Sequence, residues 1–265
     1  MIRDITLGQY YPGESWIHRL DARTKIIATL LYIIELFVVN NFWGFLIAAA
    51  ALLAVIAVSK VPLKFILRGL TAVFLIILFT FVLNLFMVDG RILWQWKFLK
   101  ITYEGLMRAF FMAARLVLLI LGSSIMTLTT KPIELTDGLE KLLKPFSKIG
   151  LPSHEIALMM TIALRFIPTL MEETDKIIKA QQARGADFES GNILQRAKSL
   201  IPILVPLFVS SFRIAQDLAL AMEARCYRGG GGRTRMNEIR FRRGDALAAC
   251  LMALFLAVII ASRYI

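Results

Sequence analysis

Histidine and cysteine are nearly absent: two of each in 265 residues. Cys226 and Cys250 make no disulfide framework, and one lies in a polar section while the other lies inside an apolar run, so pairing is not expected. His18 and His154 stand alone. His154-Glu155 has no second histidine four residues on, which removes the metalloprotease helix. No Ser/His/Asp set is apparent. The phosphate-binding loop Gly-x-x-x-x-Gly-Lys-Ser/Thr is missing too. Arg228-Gly229-Gly230-Gly231-Gly232-Arg233-Thr234 is glycine-rich but has neither the lysine nor a preceding strand, so it reads as a linker. These absences point away from an enzyme and imply no cofactor or metal of the chain's own. If ATP is used, another subunit binds it. A cleavable signal peptide is not expected, because Arg3, Asp4, Glu14, His18 and Arg19 make the first residues too polar.

What is plentiful is apolar surface. The chain is 58% hydrophobic with a mean hydropathy of +0.68, against roughly 45–50% for soluble domains. Five runs approach the length that crosses a bilayer. They are Lys25–Val39, Phe42–Val58, Gly69–Val88, Leu106–Leu128 and Ala246–Ala261. The expected fold is an all-α polytopic membrane protein: a lead-in over 1–24, four spans over 25–130, a helical section over 131–243 and a last span over 244–265. Asp21 is placed to cap the first helix. Between the third and fourth spans, Trp94, Trp96 and Phe98 alternate with Gln95 and Lys97. The alternation fits an extended segment. Tryptophans flanking a span also suit the headgroup layer, and that interfacial reading is preferred.

The formal net charge of +12 could suggest nucleic acid, but in a membrane protein Lys and Arg gather on the cytoplasmic side. Arg3, Arg19, Arg23 and Lys25 lie in the lead-in, Lys60, Lys64 and Arg68 in the second loop, and 18 more in Lys131–Arg243, making 25 on one side. Arg91, Lys97, Lys100 and Arg263 make 4 on the other. The bias places the N-terminus and the polar section in the cytoplasm and the C-terminus outside.

The polar section reads as a short helix from Pro132 followed by two helical arms. The first arm opens near Ser153 and, if helical to Arg184, is roughly 50 Å long. Pro168 should kink it. The second starts at about Ile193, is bent early by Pro202 and Pro206, and carries Phe208, Phe212, Ala215, Ala219 and Met222 on one stripe. The arms end alike, in Ala183-Arg184-Gly185 and Ala224-Arg225-Cys226, with the arginines 41 residues apart. Capping explains a single copy, since a cation suits a helix C-terminus and Gly185 suits the left-handed turn beyond it. Two copies favour a pair of binding ends, where arginine can fork onto a partner's carboxylates or carbonyls.

Charged residues inside spans are functional candidates by default. Glu35 lies in the first span; Arg108 and Arg115 lie seven apart on one face of the fourth. The preferred reading is structural: Arg108 snorkels outward, and Arg115 pairs with Glu35 or another buried acceptor. Arg165, in the apolar half of the first arm, is expected to bond carbonyls or an acid inside the protein. In a self-contained secondary transporter or channel, Glu35, Asn84, Arg108 and Arg115 would line a path. The spans show no inverted repeat to support it. A membrane receptor using its arms as an interaction platform would explain the arms alone.

Ala183-Arg184-Gly185, Ala224-Arg225-Cys226 and Arg165-Phe166-Ile167-Pro168, in this layout of spans and arms, resemble the transmembrane T component of energy-coupling factor importers. Gly8-Gln9-Tyr10-Tyr11-Pro12-Gly13 and Leu20-Asp21-Ala22-Arg23-Thr24-Lys25 are similar to that family as well. The resemblance covers essentially the whole chain. It implies a non-catalytic coupling subunit in the cell membrane with two cytosolic ATP-binding-cassette ATPases, each receiving one arginine-tipped arm, and a membrane-embedded S component that carries a vitamin. A dedicated cobalt or nickel importer is the alternative. One departure is Cys226, where the family's motif has glycine; small size is kept, but the left-handed cap is in doubt and the helix could continue to Tyr227-Arg228.

Overall fold

The computed structural model describes residues 10–96, 99–150, 152–186, 188, 192, 195, 198–229 and 241–262. Eight helices dominate it: α1 (Ala22–Val38), α2 (Phe42–Ser59), α3 (Leu63–Met87), α4 (Tyr103–Thr129), α5 (Pro132–Leu143), α6 (Ser153–Ala183), α7 (Ile201–Ala224) and α8 (Arg243–Ser262). The chain is an all-α polytopic membrane protein. It divides into two compact units, one of residues 6–142 and 238–265 and the other of residues 143–237 with 1–5.

In the larger unit the helices follow the apolar runs closely. Where they differ, the reason is local. α3 begins at Leu63, six residues before the expected Gly69, because Pro62 sets the N-terminal φ and the chain turns helical at once. Lys64 and Arg68 therefore sit on the first turns of α3, not in a turn before it. α3 buries Ile66 and presents Phe74, Leu75, Ile76 and Phe79 outward, as a lipid-facing helix does. The core is built from Leu36 of α1, Phe45, Ala48 and Leu52 of α2, Leu118 and Ile125 of α4 and Ile259 of α8. Phe45 and Phe111 stack at 5.3 Å between ring centres. α4 passes close to α1 because residue 122 is glycine; a Cβ there would collide with the Tyr32 ring.

The segment between α3 and α4 is an antiparallel hairpin of β1 (Ile92–Trp96) and β2 (Leu99–Thr102), pairing Trp94 with Ile101 and Trp96 with Leu99, with a bulge between Ile92 and Trp94. The extended reading of the alternation holds here: the segment is a paired hairpin, whose backbone bonds satisfy donors that an irregular loop would leave open. Residues 97 and 98 lie outside the described residues. Thr102 closes the segment. Its hydroxyl donates to the Val88 carbonyl (2.6 Å) and accepts from the Gly105 N–H (3.1 Å), capping α4 as it ties the hairpin to the end of α3.

The lead-in is fastened to the helix ends beside it. The Tyr11 N–H donates to the Leu128 carbonyl at 2.8 Å, and the Tyr11 ring packs on Phe65 at 5.3 Å. Asp21 caps α1 by accepting from the Arg23 N–H (2.9 Å), and the Arg23 guanidinium returns to the same carboxylate at 2.8 Å. The Asp21 N–H donates to Asp245 Oδ1 (2.8 Å), and the Arg242 N–H donates to Asp245 Oδ2 (2.7 Å). Lys25 Nζ donates to the Thr129 carbonyl (2.9 Å) at the C-terminal end of α4 and to the His18 carbonyl (3.2 Å). The starts of α1 and α8 and the end of α4 thus meet at one level.

By length and composition, six helices can cross a membrane: α2, α3, α4, α6, α7 and α8. At 17 residues α1 is shorter than these. The six differ from the five expected spans in including both arms, because the first half of α6 and much of α7 are as apolar as a span.

Asp245 carries two backbone donors and is 3% exposed. Asp245→Ala is expected to destabilise the protein by about 2 kcal/mol, the scale of losing charge-assisted bonds and stranding their donors, read as a lower thermal midpoint in detergent. Burial raises the Asp21 pKa, but its bonds to Arg23 outweigh this and hold it below the ordinary value. That contribution is present at neutral pH and is lost as pH falls below about 4. An acid titration should therefore lower the thermal midpoint of wild type more than that of Asp21→Asn.

Candidate functional site

The candidate site is the pair of arginine-tipped arms, α6 and α7, which belong to one unit. Ser153 and Glu155 open α6, and the helix runs unbroken through Pro168 to Ala183. α7 starts at Ile201 with Pro202 in its first turn, where the missing N–H costs nothing, and passes through Pro206. The expected start at Ile193 falls on a residue outside those described.

The arms pack antiparallel. Gln181 Nε2 donates to the Pro202 carbonyl (3.1 Å), Ser210 Oγ donates to Glu173 Oε1 (3.3 Å), and the Tyr227 hydroxyl lies 3.4 Å from His154 Nε2. As residue number rises by eight from 173 to 181 on α6, its partner falls by eight from 210 to 202 on α7. One register therefore holds along the pair. The consequence is that the two arginines point to opposite ends. Arg184 ends α6 beside the start of α7, and Arg225 ends α7 beside the first turns of α6. At the helical rise the ends are about 40 Å apart.

Both ends close in the same way. The Gly185 N–H donates to the Gln182 carbonyl (2.9 Å) and the Ala186 N–H to the Gln181 carbonyl (3.0 Å). In α7 the Cys226 N–H donates to the Glu223 carbonyl (2.8 Å) and the Tyr227 N–H to the Met222 carbonyl (3.0 Å). This paired 5→2 and 6→1 bonding is the Schellman motif, which needs a left-handed residue just past the helix. Gly185 supplies it at φ +87° and Cys226 at φ +54°. Continuation of the second arm through Cys226 is thereby corrected: the helix stops at Ala224, because these two bonds satisfy carbonyls that another turn would otherwise take. Ala183, Arg184, Gly185, Ala224, Arg225 and Cys226 are all exposed. Alanine precedes each arginine.

Arg165 departs from expectation. It is exposed, and among the described residues no hydrogen bond or ion pair reaches its side chain. It lines a cavity of about 700 Å³ between α6 and α7, shared with Thr161, Arg225, Cys226, Tyr227 and Arg228. An internal partner was expected from the apolar run around it; in the structure the opposing arm supplies arginines in place of an acid.

The charged groups of the larger unit are arranged differently. Arg115 Nη2 donates to the Val39 carbonyl (2.7 Å) and reaches Asn40 Oδ1 (3.4 Å), with its guanidinium 5.6 Å from the centres of both Phe37 and Phe45. Its partner is thus the end of α1 and not Glu35. Glu35 is 2% exposed, and neither carboxylate oxygen has a hydrogen-bond partner. It lines an apolar cavity of about 380 Å³ with Thr29, Tyr32, Gly122 and Phe255. Asn84 donates to Thr80 on its own helix (2.8 Å), and Arg108 is exposed. Of the four groups of the transporter path, Glu35 alone lines this cavity.

Two outcomes follow. A non-glycine residue in the left-handed region costs about 1 kcal/mol. Cys226→Gly should slow amide exchange at Tyr227, whereas Gly185→Ala should speed it at Ala186, each by about fivefold, measured by hydrogen exchange in detergent. Arg115→Ala leaves the Val39 carbonyl without its donor and should lower the thermal midpoint, while Glu35→Gln, which breaks no bond, should leave it unchanged or higher.

The comparisons with known proteins agree with one another. The family described as cobalt transport protein, CbiQ, matches residues 13–237. The energy-coupling factor transporter transmembrane protein EcfT of Clostridium kluyveri is 60% identical over 265 residues, covering 99% of this chain and 98% of its own length. Its counterpart in Thermosediminibacter oceani is 57% identical over 264 residues and 100% of both chains, and that of Bacillus subtilis is 49% identical over 240 residues, 90% of this chain and 91% of its own. With arms, caps and helical layout on the page and relatives of this closeness along the whole length, the chain belongs to the family of energy-coupling factor transporter transmembrane proteins.

Proposed function

We propose that this chain is the coupling subunit of an energy-coupling factor importer: a non-catalytic membrane protein that passes the work of two cytosolic ATP-binding-cassette ATPases to a membrane-embedded S component. The observation that carries the reading is the pair of identically capped, exposed arginine ends at opposite ends of one antiparallel arm pair. Arg184 would enter one ATPase and Arg225 the other. The similarity along the whole length to energy-coupling factor transporter transmembrane proteins supports the same role.

In this reading α6 and α7 lie on the cytoplasmic side, α1 counts as a span, and the C-terminus is external. The meeting of the starts of α1 and α8 with the end of α4 supports it, since the lead-in, the entry to the polar section and the exit from it then share one face. That is also the face the 25 basic residues favour. The apolar stripe of α7 would meet the S component; Phe208 and Phe212 are 62% and 69% exposed, which leaves the stripe open to a membrane partner. Closure of the ATPase dimer would shift the arm ends, and the arms would hand the rigid-body motion to the S component, which topples to release its cargo. Pro168 lies midway along α6, between the two ends.

The cargo we propose is a vitamin, with specificity residing in the S component. A dedicated cobalt or nickel importer is the second reading, favoured by the cobalt transport description of the matched family.

The test is co-purification of the full chain with its two ATPases, and uptake in proteoliposomes, for wild type, Arg184→Ala, Arg225→Ala and the double variant. Each single change should cut uptake at least tenfold, and the double change should release the ATPases. Full assembly and uptake in the double variant would reduce both arginines to helix caps.

A further inference from the structure

The two arm ends share a backbone but not their surroundings. At the α7 end three arginines face one cavity of about 700 Å³: Arg225 and Arg228 from α7 and the chain just past it, and Arg165 from the facing arm. Among the described residues no Glu or Asp lines it; the rest of the lining is apolar or neutral, with Leu158, Phe166, Thr161 and Tyr227 among its walls. All three arginines are exposed, and no described hydrogen bond or ion pair engages their side chains. Three guanidinium groups lining one largely apolar hollow repel one another, and acidic groups entering it would relieve that repulsion, each forking onto a guanidinium. The chain leaving each end differs as well. Asp187 and Glu189 follow Arg184 within five residues, whereas after Arg225 the next charged residues are Arg228, Arg233 and Arg235, and the first acid is Glu238.

We infer that the cavity bounded by Arg165, Arg225 and Arg228 is a receptor for a carboxylate-bearing segment of the ATPase that docks at the α7 end, and that it decides which of the two ATPases binds there. This rests on the coupling reading above and adds to it a specificity device contributed by both arms. Arg225 makes the docking contact. Arg165 and Arg228 widen it into a site for more than one acidic side chain. The antiparallel packing is what makes the device possible, since it places Arg165, about two turns from the level of Arg225 on the facing arm, on the wall of the same cavity. The α6 end, followed at once by its own acids, would repel the same segment.

The experiment measures binding of each ATPase, expressed with this chain and purified individually, to the full-length detergent-solubilised protein from 50 to 500 mM NaCl. The variants are wild type, Arg165→Gln with Arg228→Gln, and Arg165→Lys with Arg228→Lys. One ATPase should bind the glutamine variant at least tenfold more weakly, show the steeper salt dependence on wild type, and recover most of its affinity with the lysine variant. The other should be unaffected. Equal responses of both ATPases would overturn the inference. So would unchanged binding of both, including the case in which the glutamine variant loses only co-purified phosphatidylglycerol. In each of those cases Arg225→Ala still releasing an ATPase would leave the coupling reading intact. Binding of both ATPases to the Arg184→Ala, Arg225→Ala double variant would remove that reading and this one together. Wild-type thermal midpoints for the glutamine variant establish that it is folded.

Discussion

The buried carboxylate of Asp245 is the constraint from which the rest of the larger unit takes its order. It accepts backbone donors from residues more than two hundred positions apart, one at the start of α1 and one at the start of α8. With so little water nearby, those N–H groups have no alternative acceptor. Lys25 adds the C-terminal end of α4 to the same level, holding the Thr129 carbonyl where a helix's negative end favours a cation. The chain therefore leaves the helical bundle and returns to it at one place.

The arms obey a different logic. Their mutual polar contacts are few, spaced along the pair, and between side chains that a small rotation could break. Much of the apolar surface of α7 faces outward. A pair built to be rigid would bury Phe208 and Phe212; here both stay largely exposed. Its firmest features are the two C-terminal caps, where the backbone satisfies itself and leaves each arginine side chain uncommitted.

The helices of the larger unit were legible because a run of some twenty apolar residues has few ways to satisfy its backbone other than as a helix. The arm ends were legible because Ala-x-x-Ala-Arg occurs twice before a small residue. The conformation of Cys226 was not, since a left-handed non-glycine residue contradicts local preference and is held there by the Glu223 and Met222 carbonyls. The partner of Arg115 was one of two expected kinds; sequence separation cannot choose between a carboxylate on α1 and a carbonyl at its end. The surroundings of Arg165 were not legible, because its sequence neighbours are apolar, while the cavity it lines is shared with Arg225 and Arg228 of the opposing arm and holds no acid among the described residues. The alternation at Trp94, Trp96 and Phe98 signals extended backbone, but the pairing partner that makes it a hairpin is set by contacts the alternation does not name.

Two antiparallel helices of similar length are related by an approximate twofold axis across their midpoint. Here the residues facing each other near that point are Glu173 and Ser210, within about a turn of halfway between the ends. A rotation about such an axis moves the two tips in opposite senses and leaves the centre almost still. The arm pair is thus balanced in form about its centre, where the Ser210–Glu173 hydrogen bond lies, and the three arginines lining one cavity distinguish one end from the other.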